Sequence, residues 1–165
     1  MLSIRSLLSS LFSALSLGAV FLPSPSIAED TSCEHNAVKI VVRTIQAAGT
    51  KAGATPQSLD DSLADLKPKL EMLPFASFKL LSSKEEQISL KRKETVGLPN
   101  GQVLAFRPMY VNKERVGIWL SWKDSDGSDI LNTRLHFDAD ESVLTGTDYP
   151  NNEGRIIAIK ALQGN

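Results

Sequence analysis

Scarcity is the first limit on the chemistry of this chain. Among 165 residues there are two histidines, His35 and His136, and one cysteine, Cys33. A serine or cysteine nucleophile needs a histidine base within reach. The strings that mark such sites, Gly-x-Ser-x-Gly, His-Glu-x-x-His, Cys-x-x-Cys and Gly-x-Gly-x-x-Gly, do not occur. Paired carboxylates would suffice for glycoside hydrolysis, but the acids crowd into turns and one polar helix face, where solubility explains them. The sequence therefore predicts a non-catalytic protein with no cofactor.

Two constellations remain. Asp124-x-Asp126-Gly127-x-Asp129 sets three carboxylates around a glycine, a donor set that suits a hard cation such as calcium. It stops short of a twelve-residue calcium loop, and Asp and Gly are also the residues of a tight hairpin turn. The turn is the expectation, with no metal. The second constellation lies in the strands that flank this turn. Val116, Ile118, Leu120 and Trp122 alternate on one side, and Leu131, Thr133, Leu135 and Phe137 alternate on the next segment. For both sets to enter one core, an even-numbered residue must face an odd-numbered one, and a short Asp/Gly turn favours Trp122 opposite Leu131. That register puts Trp119 across from Arg134, Ser121 across from Asn132, and Gly117 across from His136 on the opposite face. A tryptophan beside an arginine and a histidine can stack on and hydrogen-bond a sugar, a peptide or a carboxylate. Trp119, Arg134 and His136 are the candidate binding residues. The competing expectation covers Trp119 with a helix or loop as part of a second core.

The elements that must hold these residues follow from periodicity. Val38 to Ala47 alternates as a strand, and the glycine-containing stretch from Gly49 to Pro56 breaks it. Leu59, Leu63, Leu66, Leu70 and Leu73 recur at helical intervals behind a Ser58/Asp61 capping box, so the spacing predicts one amphipathic helix that Pro68 kinks or divides. Beyond Pro74 the period becomes two. Short strands are expected at Ser77–Leu81, Gln87–Leu90, Glu94–Leu98, Val103–Arg107, Arg115–Lys123, Ile130–Phe137, Ser142–Thr145 and Arg155–Leu162, separated by Asn, Asp and Gly turns. Lys91-Arg92-Lys93 reads as a charged hairpin tip or a protected edge, without the interleaved aromatics of a nucleic-acid patch. The fold class expected is α+β: mainly an antiparallel β-sandwich or barrel-like sheet, with one N-terminal amphipathic helix packed on it.

Ahead of this region, Arg5 precedes an apolar run from Leu7 to Leu22, then Pro23, Pro25 and Ser26-Ile27-Ala28. That order predicts a cleaved signal peptide over residues 1–28, a polar disordered tail over 29–37 that contains Cys33, and one β-rich domain over 38–165. The apolar run is short and serine-rich for a membrane span, so no stable insertion is expected after cleavage. A lone cysteine cannot close an internal disulfide; it stays free or pairs with another chain. Hydrophobic residues at 42% and charged residues at 22% suit a folded domain rather than disorder. A net charge of −1 supplies no global field to recruit nucleic acid.

Pro74-Phe75-Ala76-Ser77-Phe78-Lys79-Leu80-Leu81, with Leu98-Pro99-Asn100-Gly101 and Leu131-Asn132-Thr133-Arg134-Leu135, resembles an uncharacterised family of small exported bacterial envelope proteins. That resemblance implies a compartment and no activity. Asn132-Thr133-Arg134 through Gly146 to Ile159 is similar to the strand-turn-strand of the secretin β-domain, although Gly146-Thr147 stands where a double glycine is usual. The resemblances imply a periplasmic or secreted binding or adaptor protein of a bacterial envelope or secretion assembly, with another envelope protein as partner and no nucleic acid. The alternative, carried by Trp119, is a small-ligand or carbohydrate-binding module.

Overall fold

The computed structural model describes residues 37–53 and 56–163. The expected signal peptide, the polar tail up to residue 36, Cys33 and His35 lie outside them.

Alternation in β1 (Ala37–Thr50) sends Val38, Ile40, Val42 and Thr44 to one side and Ile45 and Ala47 to the other; all six are buried. A strand apolar on both sides belongs inside a sheet, and β1 has antiparallel neighbours on both edges: β3 (Phe75–Ser89) and β9 (Glu153–Gln163). β8 (Ser142–Tyr149) pairs outside β9, and the two-residue β2 (Ser58–Leu59) pairs in parallel with β3, for an order of β2-β3-β1-β9-β8. The second sheet runs β4 (Glu94–Gly97), β5 (Val103–Val111), β6 (Arg115–Lys123), β7 (Asp129–Asp138) in simple antiparallel succession. The sheets stay separate and share one core, which makes a β-sandwich and rules out the barrel alternative. Into that core β6 sends Val116, Ile118, Leu120 and Trp122, opposite Val38, Ile40 and Val42 of β1 and Ile157 and Ile159 of β9.

β3 corrects an expectation. Ser77–Leu81 and all but the last residue of Gln87–Leu90 are parts of one fifteen-residue strand, which ends at Ser89. Thr44 pairs with Ser82 and Ile45 with Leu80, so Leu81 is an extra residue, a bulge. The insertion moves even-numbered residues from one face of the sheet to the other, putting Ile88 in the shared core and Phe78 beneath the opposite face. Broken alternation of this kind reads as two strands in a sequence.

The amphipathic helix is also corrected. Leu59 belongs to β2, and the segment after it is a 3-10 helix, Asp61–Leu66, followed by the single α-turn α1 (Lys67–Leu70). Asp60, not Ser58, is the cap, and its carboxylate accepts from the Ser62 backbone N–H at 3.0 Å and the Ser62 hydroxyl at 2.6 Å. Leu63 and Leu66 are aligned by the three-residue period of a 3-10 turn, and Leu66 and Leu70 by the four-residue step of the α-turn. Pro68 stands in the first turn of α1, where its missing N–H costs no helical bond. This short cover packs Leu63, Leu66 and Leu70 on Ile45, Ala47, Phe78, Ile156 and Ala158, a second core on the outer face of the first sheet.

Candidate functional site

Among the described residues, no such segment covers the outer face of the second sheet. Its residues are the alternates of those in the shared core, and the strand register lines them up in three rows across β5, β6 and β7. Arg107 faces Trp119, which faces Arg134; Ala105 faces Ser121, which faces Asn132; Tyr110 faces Gly117, which faces His136. The β6–β7 pairings are those the alternation predicts, down to Trp122 opposite Leu131.

The middle of the face is built around Trp119. Its ring is half-buried, and its indole N–H donates to the Asn132 side-chain oxygen at 3.0 Å, which fixes the plane of the indole. The Arg107 guanidinium lies 5.5 Å from the ring centroid and the Lys93 ammonium 5.7 Å from it, both at cation–π distance. Arg134 is exposed directly across the strand pair. Among the described residues none of these three cations has an ion-pair partner, and the three rows contain no carboxylate. Among the described residues the buried Arg107 Nε also has no hydrogen-bond acceptor. The region is an aromatic plate framed by uncompensated positive charge.

His136 is on the same face but has a different neighbour. Its Nδ1 is 2.9 Å from the Tyr110 hydroxyl, and the two rings stack at 5.8 Å with 24° between their planes. Gly117 makes this possible, because a Cβ there would come within 2.3 Å of the Tyr110 ring. Trp119, Arg134 and His136 thus share a face, and within it Trp119 and Arg134 form one row while His136 forms another with Tyr110.

Sequence reasoning missed Arg107, Tyr110 and Lys93. Arg107 was legible, since it alternates with the buried Phe106 and the strand register reaches it. Tyr110 was not, because the register skips Met109 and shifts the phase of β5 after Pro108. Lys93 arrives from the charged β3–β4 connection, which lies outside any periodic pattern.

The Asp124–Asp129 run is a turn. Asp124 Oδ1 accepts from the Ser125 backbone N–H, Asp126 Oδ1 from that of Ser128, and Asp129 pairs with Lys123 at 2.8 Å, while Gly127 takes a φ of 88°. The Ser128 bonds hold the Asp126 carboxyl below its ordinary pKa. Among the described residues, no group of three or more His, Cys, Asp or Glu side chains could hold a metal ion. No helix there is long and apolar enough to cross a membrane.

No protein-family model matches the chain, and neither does any curated protein. A solved structure, the T2SS secretin XcpQ from Pseudomonas aeruginosa, aligns over 76% of this chain and 55% of that one, with a TM-score of 0.35 and 7% identity. The chain spans about half the length of that neighbour. A likeness this loose assigns no function.

Proposed function

We propose that this is a non-catalytic, exported binding protein of the bacterial envelope that docks an acidic segment of another envelope protein on the outer face of its second sheet. The observation that carries the reading is the row Arg107–Trp119–Arg134 with Lys93 beside it: two cations over one aromatic ring, a third across the strand pair, and no acid among them. Charge without a partner on an ordered strand surface is complementary to an anion. A polypeptide partner is favoured by β7, the last strand in the order of its sheet, whose outward residues Asn132, Arg134 and His136 belong to the same face. A partner strand can pair with such an edge through its backbone while its carboxylates reach Arg134. The carbohydrate alternative is weaker here, because Arg107 and Lys93 already occupy the Trp119 ring that a neutral sugar would stack on.

The test uses poly-L-glutamate and hyaluronate as probes on the purified chain. Poly-L-glutamate should bind with a steep salt dependence. The Arg107→Ala/Arg134→Ala double variant should weaken it at least about tenfold without moving the melting temperature, since each charge-assisted bond is worth about 1.5–3 kcal/mol. Hyaluronate bound more tightly than poly-L-glutamate, or binding indifferent to the double variant, would sink the reading.

A further inference from the structure

The sandwich has a second charged feature, away from the Trp119 rows. A cleft of about 420 Å³ opens between the two sheets at the end where β5 and β9 begin and β6 and β8 finish. Its lining includes Gln102, Asp124, Tyr149, Glu153 and Arg155.

Arg155 is the unusual member. It is only 7% exposed, on the same side of β9 as the core residues Ile157 and Ile159, yet its Nε and Nη1 have no hydrogen-bond partner and it makes no ion pair among the described residues. Burying a guanidinium without a counter-charge is costly. Gln102 is 3% exposed; its amide nitrogen donates to the Tyr149 hydroxyl at 2.7 Å and to Asp124 Oδ1 at 3.3 Å. These bonds hold the amide in place and leave its Oε1 buried with no donor. The cleft therefore offers a cation lacking an anion, an acceptor lacking a donor, and two carboxylates, Asp124 and Glu153.

We infer that this cleft is a binding site for a small zwitterionic ligand of the amino-acid class, its carboxylate on Arg155 and its ammonium on Asp124 and Glu153, with Gln102 Oε1 accepting an ammonium N–H. The charge pattern selects the ligand. A simple anion would satisfy Arg155 but meet two carboxylates, and a simple amine would leave the guanidinium unpaired. The volume falls in the range of small-molecule sites, about 300–1,000 Å³. The site is independent of the outer-face reading and stands or falls without it.

The experiment measures the melting temperature of the full chain with each of the twenty common amino acids in turn. The best binder is then compared with its deaminated, decarboxylated and N-acetylated analogues. At least one amino acid should raise the melting temperature by several degrees in a dose-dependent way. All three analogues should lose the shift. Arg155→Met should abolish it while folding normally, since it replaces an unpaired buried charge with an apolar chain of similar length. Asp124→Asn keeps an acceptor for Gln102 and should weaken binding at least tenfold. A shift from no amino acid, or one that survives Arg155→Met, overturns the site. A deaminated or N-acetylated analogue that works as well as its parent overturns the ammonium half and with it the ligand class.

Discussion

The two sheets of the sandwich share one core but treat their outer faces in opposite ways. Behind the first sheet, Ile45, Ala47, Ile156 and Ala158 are roofed by the leucines of the segment Asp61–Leu70. Behind the second, the corresponding positions include Arg107, Tyr110, Trp119, Arg134 and His136, with no helix over them among the described residues. The difference is chemical before it is architectural. Small and branched apolar residues require a cover, whereas a ring framed by cations is satisfied at a water interface and becomes specific only when a partner arrives. The covered face is explained by stability alone. The open face has no such explanation, and that is why the proposed docking surface is placed there.

The sharpest way to break this contrast is to empty positions on the two sides of β6. Trp122, fully buried, should cost about 3–5 kcal/mol when replaced by alanine, the range for emptying a large core site. Trp119→Ala should cost about 1 kcal/mol, the centre of the range for point substitutions in general. Urea unfolding of both variants measures the gap. A Trp119 variant as damaged as the Trp122 one would make the outer face a second core and remove its claim to a partner.

The roof is tested next. Leu66 is 2% exposed, and Leu66→Ala should cost about 2–5 kcal/mol if the cover is integral to the first sheet. A loss below about 0.5 kcal/mol would mean that the cover is dispensable and the two outer faces are alike.

Legibility in the sequence follows the same division. The β6–β7 hairpin could be read residue by residue because its period of two is unbroken from Val116 to Trp122 and from Leu131 to Phe137, and each face has its own chemistry. The turn residues were equally legible: Asn100, Gly101, Gly127, Asp140, Asn151 and Asn152 all adopt the positive φ that Asn, Asp and Gly tolerate. What escaped were the breaks in phase. Leu81 in β3 and Met109 in β5 each insert one residue, and a single insertion exchanges inside for outside, so Phe78 and Tyr110 were assigned no face. The helix was overread because a leucine spacing of four and three fits a continuous helix as well as it fits a strand end, a 3-10 turn and an α-turn in succession. The Arg155 cleft was invisible for a different reason: its residues come from four separate strand ends, which no local pattern connects.

A finer test of the open face is Gly117. Its missing side chain is the space that Tyr110 occupies, so Gly117→Ala should displace the ring and cost about 1–3 kcal/mol, as overpacking does. The Tyr110–His136 bond should be lost with it, which imidazole nitrogen shifts would report. In a Tyr110→Ala background the same alanine should cost far less, because the three atoms nearest to the added Cβ all belong to that ring. An equal cost in both backgrounds would locate the constraint in the backbone of β6 instead.

The smallest expected effect compares one carboxylate from each side. Asp60 caps the roof of the first sheet, and its pKa is held below 3.8 chiefly by the Ser62 hydroxyl, then by the Ser62 and Leu80 backbone N–H groups. Asp126 sits in the β6–β7 turn and is lowered in the same direction by Ser128. A carboxyl lowered on folding contributes stability above its unfolded pKa, and that contribution disappears as pH falls through the folded value. Both contributions should therefore be complete at neutral pH and fade only below about pH 4. They should also be local, because each cap serves its own element. At neutral pH an Asp60→Ala chain mimics the protonated cap, and its hydrogen exchange should quicken first in Asp61–Leu70, with the β6–β7 amides unchanged. The reverse should hold for Asp126→Ala. If either substitution loosened both regions together, the roof and the open hairpin would be one cooperative unit. The contrast between a face closed for stability and a face proposed for binding would then have to be argued from charge alone.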